Sequence, residues 1–263
     1  MSKKTKVIGV CKLCLKTAEL RDSHIVSKFL LRENGLVGRH QSKFDIICVT
    51  DPSQSELHQQ DAIKEYLLCQ SCDNEKFATW EGYARQKFYG TPSPFQGVKA
   101  PGFVWQGLDY AQMKLFFLSV LWRMGIASHQ FYGHVQLGRH EKHLRRMLLA
   151  EDPMESWRYG CSVGYLHYGR KTLDAMFTQP QKFTTEGDLN CVRFVMAGFV
   201  YFMYLNNVRP SSDVVSSFLQ PSGNWVVPIM QAKEIKFVWD EINLARKHYG
   251  LWTDDDFVPS PSK

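Results

Sequence analysis

The hydrophobic rhythm of the chain changes several times, and each change predicts an element. From Asp109, an N-cap residue type, "AQMKLFFLSVLWRMGIA" is apolar over a helical length and predicts a buried helix. In "RHEKHLRRMLLA", Leu144, Met147 and Leu148 fall at i, i+3 and i+4, the signature of a helix with one buried face. The segments "YGCSVGYLHY" and "CVRFVMAGFVYFMYLNN" are rich in aromatic and branched residues and read as β. "SGNWVVPIM" predicts a short strand, and "AKEIKFVWDEINLARKHY" a closing amphipathic helix. Three prolines and three glycines in "YGTPSPFQGVKAPGF" (89–103) break the periodicity, so a domain boundary is expected there.

Composition narrows the class. A chain of 263 residues that is 44% hydrophobic has material for one or two real cores. The two most apolar windows, "MKLFFLSVLWRMGI" and "VRFVMAGFVYFMYL", fall short of the roughly 18–20 residues of a membrane span. Lys114, Arg123 and Arg193 also interrupt them, so they read as buried helix and buried strand with no membrane partner. The polar N-terminus has no signal-like apolar run, and seven cysteines argue for reduced thiols, so the chain is expected to be cytoplasmic. A net charge of +6 favours polyanion partners mildly. The charge is uneven: residues 1–32 hold eight Lys/Arg against two acids, and "GRHEKHLRR" (138–146) forms a second basic cluster.

The cysteines carry the sharpest chemistry. "CKLC" at Cys11 and Cys14 and "CQSC" at Cys69 and Cys72 are two CxxC pairs, each of which sets two sulfurs on one side of an ion. Together they predict one structural Zn2+ with four thiolate ligands, while Cys48, Cys161 and Cys191 read as core residues. A knuckle at the first pair, a strand "ELRDSHIV", and a helix opening on the second pair, with Phe77, Trp80 and Tyr83/Ala84 on its apolar face, make a treble clef. The expected fold is therefore α+β: a zinc-bound treble clef over residues 1–95, then an α+β C-terminal domain over 104–263.

With "LRDSHIV" on the strand and "LLCQSCDNEKF" at the helix start, residues 8–90 resemble the HNH endonucleases of the ββα-metal group. The chain is also similar to a bacterial group in which SHI, QD, WE and LSxLWR occur together. Here these are Ser23–Ile25, Gln60–Asp61, Trp80–Glu81 and "LSVLWR" at 118–123. The resemblance implies a metal-dependent nuclease that nicks or cleaves nucleic acid, DNA foremost, by phosphodiester hydrolysis. It implies His24 as the general base, since a neutral imidazole accepts a proton at cellular pH. It implies Mg2+ or Mn2+ as a catalytic ion with Asp73 as a ligand, and Asp61 as a candidate second carboxylate beside Asp22, Glu75 and Glu81. Ser23 stands where the family has a metal ligand, and Asp73 where it has a second metal-binding His. Asp73 and Glu81, two helical turns apart, are expected not to share one ion.

Lys12, Lys16, Arg21, Lys28 and Lys76 are the expected phosphate contacts. By analogy the protein acts in bacterial defence against phage or other foreign DNA, with a second copy or another defence-system protein as a further partner. The alternative is a non-catalytic zinc module that binds nucleic acid or a protein, with His24 holding the fold.

Overall fold

The computed structural model describes residues 6–32, 44–46, 57–59, 63–91, 95, 97–169, 171–174, 176–206 and 208–249. Asp61 and Cys48 lie outside the described residues. The fold is mixed α+β. The elements in chain order are β1 (Ile8–Val10), β2 (Thr17–His24), α1 (Lys28–Arg32), β3 (Phe44–Ile46), β4 (Leu57–Gln59), β5 (Lys64–Cys69), a π-helical turn (Ser71–Phe77) and α2 (Ala78–Tyr89). They continue with β6 (Gly102–Trp105), α3 (Tyr110–Ile126), α4 (His140–Ala150), β7 (Cys161–Tyr168), β8 (Lys171–Thr172), β9 (Gln181–Thr184), β10 (Asn190–Met196) and β11 (Phe199–Tyr204). After these come α5 (Ser212–Ser216), β12 (Trp225–Gln231) and α6 (Lys236–Tyr249).

Two sheets organise the chain. The first is small and antiparallel, in the order β1-β2-β5. The second runs β6-β12-β7-β11-β10-β9, with β8 on β7, and is antiparallel except where β12 pairs β7 in parallel. Successive side chains on its central strands point to opposite faces, and both faces are covered. On β11, Phe199, Tyr201 and Met203 face the main core, while Val200 joins Leu166, Val195, Val238 and Ile242 under α6.

Helix α3 lies between the two sheets. Its N-cap is Asp109, whose carboxylate accepts the Gln112 N–H at 2.9 Å. Phe117 packs on Tyr201 and Trp225 of the large sheet, while Phe116 meets Phe29 and Trp122 meets Phe77 on the cysteine side. One continuous apolar core thus extends from Cys11 to Val227. No helix among the described residues is long and apolar enough to cross a membrane.

Three local features differ from the sequence reading. "VRFVMAGFVYFMYL" is two strands rather than one: Ala197 (φ 55°) and Gly198 (φ 79°) form a tight turn, and Met196 pairs with Phe199. Two consecutive positive φ values are what a two-residue hairpin demands. β6 begins at Gly102, inside the stretch where a domain boundary was expected, because "GFVW" finds its partner in β12, more than a hundred residues later. The helix after Cys69 opens as a π-turn, which periodicity at 3.6 does not anticipate.

Candidate functional site

The four thiols of Cys11, Cys14, Cys69 and Cys72 converge, with all sulfurs within 4.8 Å of one another. Local structure explains how. Leu15 adopts a left-handed conformation (φ 62°), and the bonds Leu15 N–H to Cys11 O (2.9 Å) and Cys11 N–H to Lys16 O (3.0 Å) fold the first pair into a knuckle. The Lys12 N–H then donates to Leu67 O at 2.9 Å, which sets the knuckle beside the end of β5, where the second pair begins. Cys14 Sγ lies 3.9 Å from Cys69 Sγ. That is too far for a disulfide, but close to the edge of about 3.8 Å in a tetrahedron of sulfurs about 2.3 Å from an ion.

The thiols also show why an ion suits them. Burial, together with a contact to Cys69 and the neighbouring Cys11, raises the Cys72 thiol far above its ordinary range. Cys69 also feels burial, but hydrogen bonds from the Ser71 hydroxyl and from Cys72 outweigh it and bring the thiol down to about 6. Four adjacent sulfurs ionise together only if a cation balances them. The residues therefore fit a metal held by four thiolates.

A second cluster sits beside this centre. The β2–β5 register slips between Arg21 and Asp22, and this bulge immediately precedes Ser23 and His24. Bulges re-aim the side chains that follow them and recur next to active sites. Ser23 is 1% exposed; its hydroxyl donates to Arg21 O at 3.3 Å. Asp73 follows Cys72 on the π-turn. Burial raises its carboxyl, and the Ser23 hydroxyl and the charges of Arg123 and Arg21 draw it back. Ser23 and Asp73, fifty residues apart, are thus brought together. His24 closes β2 half-buried.

Below them lies a polar network that residue-by-residue sequence reasoning missed. Arg123 is 1% exposed in the last turn of α3. Its Nη1 donates to Glu81 Oε1 at 2.8 Å and to the carbonyl of His24 at 2.8 Å. Its Nη2 reaches Ser27 Oγ at 3.4 Å and Ser119 Oγ at 3.3 Å, and the Ser27 hydroxyl donates to Glu81 at 2.7 Å. A guanidinium has five donors and must find acceptors when buried. The signal was present: a charged residue inside an apolar helical window, and the words SHI, WE and LSVLWR, which this network joins.

The predicted phosphate contacts divide. Lys12 and Lys16 are exposed on the knuckle, and Lys28 is half-buried at the start of α1. Arg21 donates to Gln70 at 2.7 Å and lies 3.9 Å from Glu19. Lys76 pairs with Glu151 and donates to Leu149 O at 3.3 Å, so its ammonium is engaged within the protein. Among the described residues, the four cysteines are the one group of three or more His, Cys, Asp or Glu side chains placed to share an ion. Compared with protein-family models, curated proteins and solved structures, the chain matches none.

Proposed function

We propose that the protein is a zinc-stapled nuclease of HNH type that hydrolyses phosphodiester bonds in nucleic acid, DNA foremost. The observation that carries this reading is the meeting of a bulged strand bearing Ser23 and His24 with a helix start bearing Cys72 and Asp73. The knuckle, the β1–β2 hairpin, β5 and the helix opening on Cys72 support the treble-clef description. Zn2+ held by Cys11, Cys14, Cys69 and Cys72 would be structural, with every coordination position filled by protein.

In this reading His24 accepts the proton of a water that attacks phosphorus, the P–O bond to the leaving sugar oxygen breaks and that oxygen takes a proton from solvent, while the Arg123 bond to the His24 carbonyl fixes the strand end that carries the imidazole. The hard-ion site fits less well. Glu81 is committed to Arg123 and Ser27, Asp22 and Glu75 are exposed, and Asp73 is the candidate carboxylate placed beside Ser23.

The buried Ser23 at the metal-ligand position and the engaged Glu81 favour the second reading, a non-catalytic zinc module that binds nucleic acid or a partner protein. One assay separates the two. Supercoiled plasmid incubated with purified protein and Mg2+ or Mn2+ should be nicked, and EDTA should stop the nicking. Retention of plasmid without any cut strands would leave the binding module standing and end the nuclease reading. By analogy with the family that the motifs resemble, such cutting would serve defence against phage, and phage plating on cells with and without the protein tests this.

A further inference from the structure

The basic cluster of α4 and the basic knuckle are far apart in sequence but joined in the fold. Arg145 Nη1 donates to the carbonyl of Leu13, between the two knuckle cysteines, at 3.0 Å. Lys76, on the turn that carries Cys72, reaches the C-terminal end of α4 through Leu149 O and Glu151. The helix is therefore fastened to the metal centre at two points.

The residues beside those fastenings face outward. Arg139, Lys142 and Arg146 fall at i, i+3 and i+7, one stripe on the exposed side of α4, opposite the buried Leu144, Met147 and Leu148. The stripe spans about 10 Å along the helix. Arg146 adjoins the arginine that touches the knuckle, and the exposed Lys12 and Lys16 flank the touched loop. None of these five cations is in an ion pair among the described residues.

Two facts separate this stripe from an ordinary solvated face. Two of its three cations, Arg139 at the N-cap and Lys142 in the first turn of α4, lie where the helix dipole opposes positive charge, so their placement costs folding stability. The one acid of that first turn, Glu141, is turned to the Trp122 indole at 3.1 Å. The charge is also felt locally: burial lowers the His140 imidazole, and Arg139, His143 and Lys182 of β9 lower it further.

We propose that the exposed stripe of α4 and the knuckle form one continuous surface for the phosphate backbone of a nucleic-acid duplex, with Arg139, Lys142 and Arg146 on one half and Lys12 and Lys16 on the other. This rests on the nucleic-acid reading above and gives it a second, C-terminal half. The partner is recognised by charge spacing rather than by bases, so binding is insensitive to sequence and steeply dependent on salt.

The test is the salt dependence of binding to a short labelled DNA duplex, using full-length protein. For Lys142→Gln/Arg146→Gln the slope of log K against log salt should fall by about two, and affinity near 0.1 M salt by at least about tenfold. Lys12→Gln/Lys16→Gln should do the same, while Lys236→Gln/Lys247→Gln on α6, which packs on the other face of the large sheet, should not. Metal content and melting temperature check that each variant is folded. If the α4 pair disturbs the fold, Lys142→Gln alone, with Lys142→Arg as its rescue, reads out the same charge.

A parent that binds steeply and an α4 variant with an unaltered slope would overturn this surface while sparing the nucleic-acid reading. A parent that binds no duplex even at low salt would overturn both. Preferential binding of the parent to anionic vesicles or to an acidic polypeptide, lost in the same variants, would also overturn it, because the partner would be of another class.

Discussion

The cysteine region and the large-sheet region are held together differently. The first builds on a three-stranded sheet whose outer strand, β1, is three residues long and leaves Ile8 64% and Val10 52% exposed. The second buries aromatic rings on a sheet packed from both sides: Phe199 alone meets Phe88, Phe95, Trp105, Tyr165 and Tyr201. A sheet with so short and exposed an edge strand gains from a further source of order, and four convergent thiols placed to hold a metal could supply it. The difference teaches where each kind of damage should appear: change to the four thiols should fall on one region, change to aromatic packing on the other, and α3 with Arg123 joins them.

Loss of the metal should have the largest effect. Bound zinc contributes on the order of 10 kcal/mol of apparent free energy in small zinc modules, so Cys69→Ser should leave residues 6–91 open to proteolysis while the large sheet persists. Limited proteolysis with metal analysis checks this; an intact N-terminal region with well under one zinc per chain would break the contrast. Phe199→Ala should do the opposite. Removing a ring that is 1% exposed costs about 3–5 kcal/mol, lowering the main transition while metal content stays unchanged.

Arg123→Met sharpens the coupling. It strands Glu81 beside the unshared Ser27 hydroxyl, with a cost of about 3 kcal/mol, reduced to the extent that water reaches Glu81 at its 27% side-chain exposure. Thermal unfolding should split into two transitions, the cysteine region first. A single transition at the parent temperature would show that Arg123 does not couple the regions.

pH separates them further. Burial raises the Glu241 carboxyl of α6 to about 7; Asp240 adds to the rise and Arg193 opposes it. A carboxyl with a raised folded pKa binds its proton more tightly when folded. Its contribution is complete below the unfolded value near 4.5 and is lost as pH rises through 7. The loss is about 3 kcal/mol at most. Glu241→Gln should therefore melt above the parent at pH 8, with the advantage shrinking towards pH 5. A constant difference across that range would refute the assignment. Smallest of all, Asp109→Ala should cost about 1 kcal/mol by removing the cap of α3, as seen in a denaturant midpoint.

Much of this molecule was legible in the sequence because its signals are local. Asp109 caps α3, Leu144, Met147 and Leu148 are buried on α4, and the two CxxC pairs lie together, all as spacing implied. What was not legible depends on distant partners. The Ala197–Gly198 turn hides inside an unbroken apolar run, and β6 is a strand only because β12 accepts it. Arg123 looked like an interruption of an apolar helix, yet its five donors serve residues about forty and a hundred positions away. The words SHI, WE and LSVLWR marked the network; which bonds joined them needed the fold.

The most direct measurement of the central claim is the plasmid-cutting rate of His24→Ala beside the parent, with zinc content, melting temperature and duplex affinity measured on the same preparations. A positioned general base contributes about 10²–10⁴ in rate, so the account predicts a loss of that size with the other three quantities unchanged. A folded, zinc-replete His24→Ala protein that cuts plasmid at the parent's rate would contradict it.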